Sequence, residues 1–548
     1  MFRFDPGPAS GRWELLFDGR LDNRDELARE LGIAAEDDGE IVLRFLTAGR
    51  WEALDRFLGP WALALFDHHA REAHLARDPT GERTLCFHAD TSRVLVASEP
   101  ASLLSDTHVP RTLDESTLAA FFAMREPDPG ATFFQAVRQV PAGHRVVLSR
   151  MGERQHRFWQ PDLSLLRESE ADTVERFREL VGQAVRAQLR GPGPAVPPAV
   201  LLSGGLDSTT VAAHAARISE TPLRAVSWRF HELTAADESA YARAMMDAAG
   251  LDPVWVEGDG CWPLQDLGTV EIDPNGPFEN PYRELHGAAF SAAAAAGSRT
   301  LLTGHFSDEM YHGVDAWWLR DCLACGNWAT AASGLRDELR WRSRPDIWTP
   351  GLRRALGVLL LGSGWERLRS RRTPDWLTPY ARERLRPLPP LLPARHPEQA
   401  ETLLAPFALM GIAAEMRRAR QHGIELRFPF RDRRLIELAL RVPADRLARP
   451  GWRKRLIWLA GEGWLPDEVR LRRSRSNLGP LFARGLQREA DTVRRLLFSV
   501  SEGGPQLWRR WVEAGPLERF LEAGGEDGTA LPAQVFWHCL TAEMWARV

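Results

Sequence analysis

The spacing of hydrophobic positions changes along the chain. Up to residue 160 they come in short apolar runs broken by turns: Trp13–Phe17, Leu58–Asp67, Arg93–Glu99 and Gly143–Leu148. Runs of this length read as strands. Asp18-Gly19-Arg20-Leu21 reads as a turn, and Leu58–Asp67 with His74–Gly81 as a hairpin-like pair. Asn23–Leu31 has the spacing of a helix opened by a polar cap. Mixed strands with a few helices predict a layered α/β sandwich.

Beyond residue 160 the spacing becomes helical over Asp172–Val185, and a Gly/Pro breaker cluster follows at Arg190–Pro198. Strands and helices then alternate. Pro198–Leu202, Leu223–Trp228, Pro253–Glu257 and Thr300–Thr303 read as strands. Between them an Ala-rich run after Ser208, a capped segment from Asp237 and the stretch Glu284–Ala296 read as helices. This alternation predicts a doubly wound parallel sheet, whose ligands bind at the carboxyl ends of the strands. A long helix is expected over Leu403–Gln421. The chain therefore divides into a domain at 1–160 and a second at 161–548.

The stretch 315–400 is rich in arginine and tryptophan (Trp317, Trp318, Trp328, Trp341, Trp348, Trp365, Trp376), with an amphipathic segment from Gly351 and prolines between Arg384 and Arg395. It reads as a helical subdomain with exposed arginines, or as a docking surface for a peptide or protein, since Trp and Arg are common anchors.

Composition narrows the class. A formal charge of −4 and a pI near 6.5 give no sign of a general nucleic-acid binder. Five cysteines, with only Cys322 and Cys325 close together, make neither a disulfide framework nor a zinc site of recognisable spacing. No apolar run reaches spanning length and no signal-peptide core opens the chain, so a cytoplasmic protein is expected. Lysine and arginine together number 70, yet a single one is lysine, Lys454. A lysine kept against such a bias is either a chance survivor or a site needing a compact point charge.

The most informative stretch follows the first strand of the second domain: Leu202-Ser203-Gly204-Gly205-Leu206-Asp207-Ser208. Two glycines permit a tight turn and close approach to a ligand, and the loop ends at a helix N-terminus, where free N–H groups favour anions. Asp207 would repel a bare phosphate, and makes sense when a divalent cation lies between them. The string resembles the pyrophosphate-binding loop of the ATP pyrophosphatases.

Other segments resemble the asparagine synthetase family. In the first domain these are Asp18–Asn23, Ala76–Glu82, Ala97–Leu104 and Pro141–His144, which are similar to the glutaminase half. In the second they are Thr303-Gly304-His305-Phe306-Ser307-Asp308-Glu309, Glu425–Leu435 and Gly451-Trp452-Arg453-Lys454. The resemblance implies an N-terminal glutaminase-like (Ntn-type) sandwich and a C-terminal ATP pyrophosphatase domain using ATP and Mg²⁺. It places Gly304 by the nucleotide and Asp308 with Asp207 around magnesium. Lys454, the sole lysine, falls on the lysine that stabilises charge on the acyl adenylate. Glu425 is the matched acid, and Arg473-Ser474-Arg475 stands where the family has Arg-x-Lys. Taken alone, Asp308-Glu309 also reads as an acidic pair at a helix start. His305 stands where β-lactam synthetases have the Tyr of a base dyad, so it reads as a base with pKa near neutrality or as a pocket-lining residue.

One departure matters. Glutaminases of this type use an N-terminal cysteine, and here Met1-Phe2-Arg3 opens the sequence, with Cys86 the first cysteine. No glutamine hydrolysis is expected. The resemblance is then nearest to lasso peptide cyclases, which imply a precursor peptide as substrate, with a leader peptidase and a leader-recognition protein as partners. A ligase for a small amino acid derivative and a non-catalytic scaffold are the alternatives.

Overall fold

The computed structural model describes residues 2–4, 11–34, 37–91, 93–190, 196–267, 271–311, 318–324, 326–341, 359–360, 373–387, 405–449, 454–472, 477–499, 506–524 and 531–547. Trp317, Trp348, Trp365 and Arg473-Ser474-Arg475 lie outside them, as does most of the segment from Gly351.

Strands β1 (Phe2–Phe4) to β9 (Gly152–Arg157) build two stacked antiparallel sheets. One has the order β2–β3–β4–β8–β9, from Trp13–Gly19, Trp61–Asp67, Glu72–Arg77, His144–Ser149 and β9. The other has the order β1–β6–β5–β7, from β1, Val94–Ala97, Cys86–Ala89 and Arg138–Gln139. Strand β3 shows how sequence makes the layers, because all seven of its residues are buried. Trp61, Leu63 and Leu65 face the helices Arg24–Leu31 and Asp38–Thr47, whereas Ala62, Ala64 and Phe66 face the second sheet. The period of two in side-chain direction puts alternate residues into two different cores. The expected sandwich is thus observed, with helices outside both sheets. Asn23 does not cap its helix by side chain; its Oδ1 instead accepts from Leu58 N at 3.1 Å, tying the helix start to the strand β3 hairpin.

The second domain carries five parallel strands, β10 (Ala199–Leu201), β11 (Arg224–Arg229), β12 (Asp252–Glu257), β13 (Thr300–Leu302) and β14 (Glu425–Arg427), in the order β12–β11–β10–β13–β14. Four match the expected strands. The fifth, β14, was not expected: its three residues Glu425-Leu426-Arg427 carry one apolar position between two charged ones. The order reverses direction between β10 and β13, which makes a crevice at their carboxyl ends.

The domains share one core. Phe121, Phe122 and Phe133 of the first pack in a cluster with Trp508, Trp511, Phe536 and Trp545 of the second. The Phe121 ring stacks on His538 at 4.0 Å, and Phe133 meets Trp545 at 5.6 Å. Trp376 also turns inward, its Nε1 donating to Phe122 O at 3.0 Å, and Trp318 is buried. Of the tryptophans read as a docking surface, these two are core; Trp328 is exposed. Among the described residues no helix is long and apolar enough to cross a membrane.

Burial fixes a pH response. His74, His214 and His538 are each held down to about pKa 4 by desolvation. An unfolded imidazole titrates near 6.5. Between those values the unfolded chain binds more protons, so stability falls as pH drops from about 6.5 to 4, by the order of 3 kcal/mol per imidazole. Urea midpoints should fall across that interval. Replacing His214, which stacks on Trp464 at 4.5 Å, by Gln should remove its share of the slope. An unchanged slope would contradict the assignment.

Candidate functional site

The loop Leu202–Gly205 leaves β10 at the switch point and enters the helix Leu206–Ile218 at its N-terminus. Gly204 has φ +77°, and a Cβ there would lie 2.9 Å from Tyr241 Cβ and 3.0 Å from Ala242 N. The loop is tied by its own hydroxyls: Ser208 Oγ accepts from Ser203 N at 3.1 Å and lies 3.0 Å from Ser203 Oγ. Gly204, Gly205 and Leu206 thereby present backbone rather than side chain to the crevice. The first N–H groups of the following helix have no earlier carbonyl to bond, which is the anion-binding geometry of a helix start.

Gly304, just past β13, closes the other side. A Cβ there would sit 2.5 Å from Ser208 N and 2.8 Å from Asp207 C. Only glycine lets the β13 end pack against the loop. Three residues on, Ser307 Oγ donates to Asp207 Oδ1 at 2.7 Å. Ser307 lay within the recognised motif but carried no assigned role; what it does is aim Asp207. Phe306, between them, has φ +74°, a left-handed backbone that costs a non-glycine residue about 1 kcal/mol or more. Arg431 stacks over its ring at 4.5 Å and Phe428 meets it edge-on at 5.4 Å, which holds it there.

Lys454 completes the constellation. Its Nζ donates to Asp207 and lies 2.8 Å from Asp308 Oδ1. It too has a left-handed backbone, at φ 53°, and begins the helix Arg455–Ala460. Burial alone would lower its pKa; the two carboxylates outweigh that and hold it charged, above the usual lysine range. Burial pushes the Asp207 carboxyl above its usual range, with Asp308 adding to the shift, and Lys454 and Ser307 counter this only in part. Two carboxylates and one ammonium leave a formal charge of −1, which favours a divalent cation here and disfavours a bare phosphate. Among the described residues no group of three or more His, Cys, Asp or Glu forms a metal cage. A pair of carboxylates is nonetheless the donor set Mg²⁺ uses when phosphates and water fill its remaining positions. The residues therefore fit Mg²⁺ with a nucleotide triphosphate.

The two candidate proton acceptors separate. Glu425 opens β14 and pairs with Thr300, the first residue of β13. It thus sits at the amino end of the sheet, while the loop and Gly304 are at the carboxyl end. Its carboxylate is bound by Arg427 at 2.9 Å, and by Arg83 at 3.6 Å and Arg20 at 3.7 Å from the first domain. This is an interdomain bridge, removed from the crevice, because the matched motif enters the strand before it reaches the ligand end. His305 does face a cavity, of about 500 Å³, on the ligand side of the sheet. Its ring is open to that cavity but surrounded by protein. Desolvation first, and the His286 ring second, lower its pKa to about 4 rather than leaving it near neutrality. His286 stacks on it at 6.0 Å and bonds Glu415 at 2.5 Å. Burial would raise Glu415, but His286 brings it down to about 2. Glu415 and His286 were missed; the only sequence signal was an acid beside the buried face of an otherwise basic helix.

The geometry predicts that Gly304→Ala keeps the fold but pushes Asp207 and Ser208 aside. Calorimetric affinity for Mg²⁺·ATP should fall at least about tenfold, the loss of roughly one charge-assisted contact. Unchanged affinity would put the nucleotide elsewhere.

Comparison with known proteins follows the same division. Residues 176–547 match the family model described as asparagine synthase, and residues 7–159 match a glutamine amidotransferase domain. Amidase chry2 of Gibberella zeae is 31% identical over 53% of this chain, and amidase chyE of Penicillium rubens 29% over 54%. The chain spans about half the length of those two, 45% of each. A glutamine-hydrolysing asparagine synthetase of Bacillus subtilis is 22% identical, over 89% of this chain and 79% of its own. With the first model covering more than half of its residues, the chain belongs to the asparagine synthase family.

Proposed function

We propose that this protein is an ATP-dependent, AMP-forming amide ligase. More specifically, we propose that it closes a macrolactam between the N-terminal amine and an Asp or Glu side chain of a precursor peptide, as a lasso peptide cyclase does. The single observation that carries the ligase reading is Lys454, the only lysine in the sequence, held between Asp207 and Asp308 beside the glycine loop. The peptide reading rests on the sequence resemblance.

In this reading Asp207 and Asp308 hold Mg²⁺, which would neutralise phosphate charge. Ser203, Ser208 and the helix N-terminus hold the pyrophosphate end of ATP. A substrate carboxylate displaces pyrophosphate at the α-phosphorus and becomes an acyl adenylate. Lys454, held in place by the two carboxylates, meets the developing phosphate charge as a preoriented cation. The acceptor amine approaches from the cavity of His305, attacks the acyl carbon and releases AMP. His305, neutral above about pH 4, takes the amine's proton once the forming C–N bond has acidified it.

The N-terminal domain serves structure rather than glutamine hydrolysis in this account. Cys86 supports that, because it is buried in β5 with its thiol pushed by desolvation up to about 12, out of range for a nucleophile. A separate leader peptidase and leader-recognition protein act with it, in the cytoplasm.

The test is intact mass. Protein, Mg²⁺, ATP, leader peptidase and the precursor peptide should yield a core peptide lighter by one water. Lys454→Met should abolish this, with a loss of at least about 10³-fold, typical of removing a transition-state charge. Turnover only with a small amino acid derivative would move the assignment to that substrate class, and a fully active Lys454→Met would leave a scaffold.

A further inference from the structure

The cavity beside His305 lies between the two domains, and its wall is unevenly charged. Glu99, Glu271, Asp273, Glu279 and Glu415 line it against Arg417 and Arg418. With neutral histidines, five carboxylates and two guanidiniums give a formal −3. Asp273 is spoken for by Arg417, Glu279 by Arg418 at 3.2 Å and Glu415 by His286. With the histidines counted as neutral, the excess of three is Glu99, Glu271 and Glu415, of which Glu415 is already engaged by the His286 ring at 2.5 Å.

Glu99 belongs to the first domain, in the Ala97–Leu104 motif whose role is otherwise unaccounted for. It is fixed across the domain boundary: Asn275 Nδ2 donates to Glu99 Oε2 at 3.3 Å, and Ala101 N donates to Asn275 Oδ1 at 2.8 Å. The rest of the wall is apolar, from Ile272, Phe278, Phe306 and Phe428. A volume of about 500 Å³ is that of a small organic ligand rather than a bare ion. Among the described residues no metal cage exists to claim these carboxylates. The cavity also adjoins the chemistry, since His305 in its wall follows Gly304 directly and precedes Asp308 by three residues.

We propose that this interdomain cavity binds the acyl acceptor as a primary ammonium with an apolar flank, and that the glutaminase-like domain supplies Glu99 as part of that cation site. The domain then contributes to amide formation by seating an amine instead of releasing ammonia. This rests on the ligase reading for the word acceptor, but the binding site can be tested without any turnover. Once bound, the ammonium must lose one proton to solvent before its nitrogen lone pair can attack, and the neutral His305 imidazole in the same wall takes the second proton once the C–N bond has formed.

The probe is leucinamide, a primary ammonium with an apolar side chain, against N-acetyl-leucinamide, which has the same flank and no charge. Calorimetry on the full chain should show leucinamide binding at least about tenfold tighter, and the preference should shrink about fivefold in Glu99→Gln/Glu271→Gln, the size of losing partly exposed charge contacts. Both substitutions keep shape, Glu271 is exposed, and circular dichroism confirms folding. Equal affinity for the two probes, or a preference that survives in the double variant, overturns the proposal. If leucinamide is selected but no peptide is ever ligated, the ligase reading falls and the cation site stands. If ligation proceeds without charge selection, the reverse holds.

Discussion

The site depends on one contact, the Lys454 ammonium between Asp207 and Asp308. It joins three separate pieces of chain: the helix after β10, the short helix after β13, and a helix start about 250 residues beyond the first. Everything nearby works to make it possible. Gly304 lets the β13 end approach Asp207, Ser307 aims the carboxylate, and Phe306 and Lys454 both accept left-handed backbones. Strain of this kind persists only where surrounding packing overdetermines it. Here Arg431 over its ring and Phe428 against its edge hold Phe306 in place.

The same economy joins the domains. Glu425, Arg20 and Arg83 form an ionic bridge at the amino end of the parallel sheet, while the shared aromatic core of Phe121, Phe133, Trp511 and Trp545 buries the far side. Glu82 is buried by the same interface and pushed by desolvation up to about 7, a shift that Arg20 and Arg431 counter only in part. A removed or separated N-terminal domain would therefore expose apolar surface and orphan several buried charges. Packing and buried charge thus bind the N-terminal domain into the fold.

Much of this was legible in the sequence because the signals were local. The Ser203–Ser208 string, Gly304 and the lone lysine each announce a backbone or charge requirement in a few residues. What the sequence hid was register and burial. Glu425 looked equivalent to an active-site acid, but a three-residue strand places it at the amino end, and strand direction relative to the ligand edge is a tertiary fact. Glu415, on a helix 16 residues long, is turned toward His286 by packing that no motif encodes. His305 was recognised by position, yet its pKa is set by the protein around it rather than by its neighbours in sequence. Trp376 turned inward because the first domain was there to receive it, and Trp318 packs with Leu319, Cys322, Ala331 and Ala444 of its own domain.

The most direct test of the account is isotope exchange between labelled pyrophosphate and ATP, with the substrate peptide present and Mg²⁺ supplied. Reversible adenylation at the Asp207, Asp308 and Lys454 centre predicts label entering ATP, dependent on the peptide's side-chain carboxylate and lost in Asp207→Asn. Label that never enters ATP, with ADP and phosphate as the products instead, would contradict the assignment of that centre.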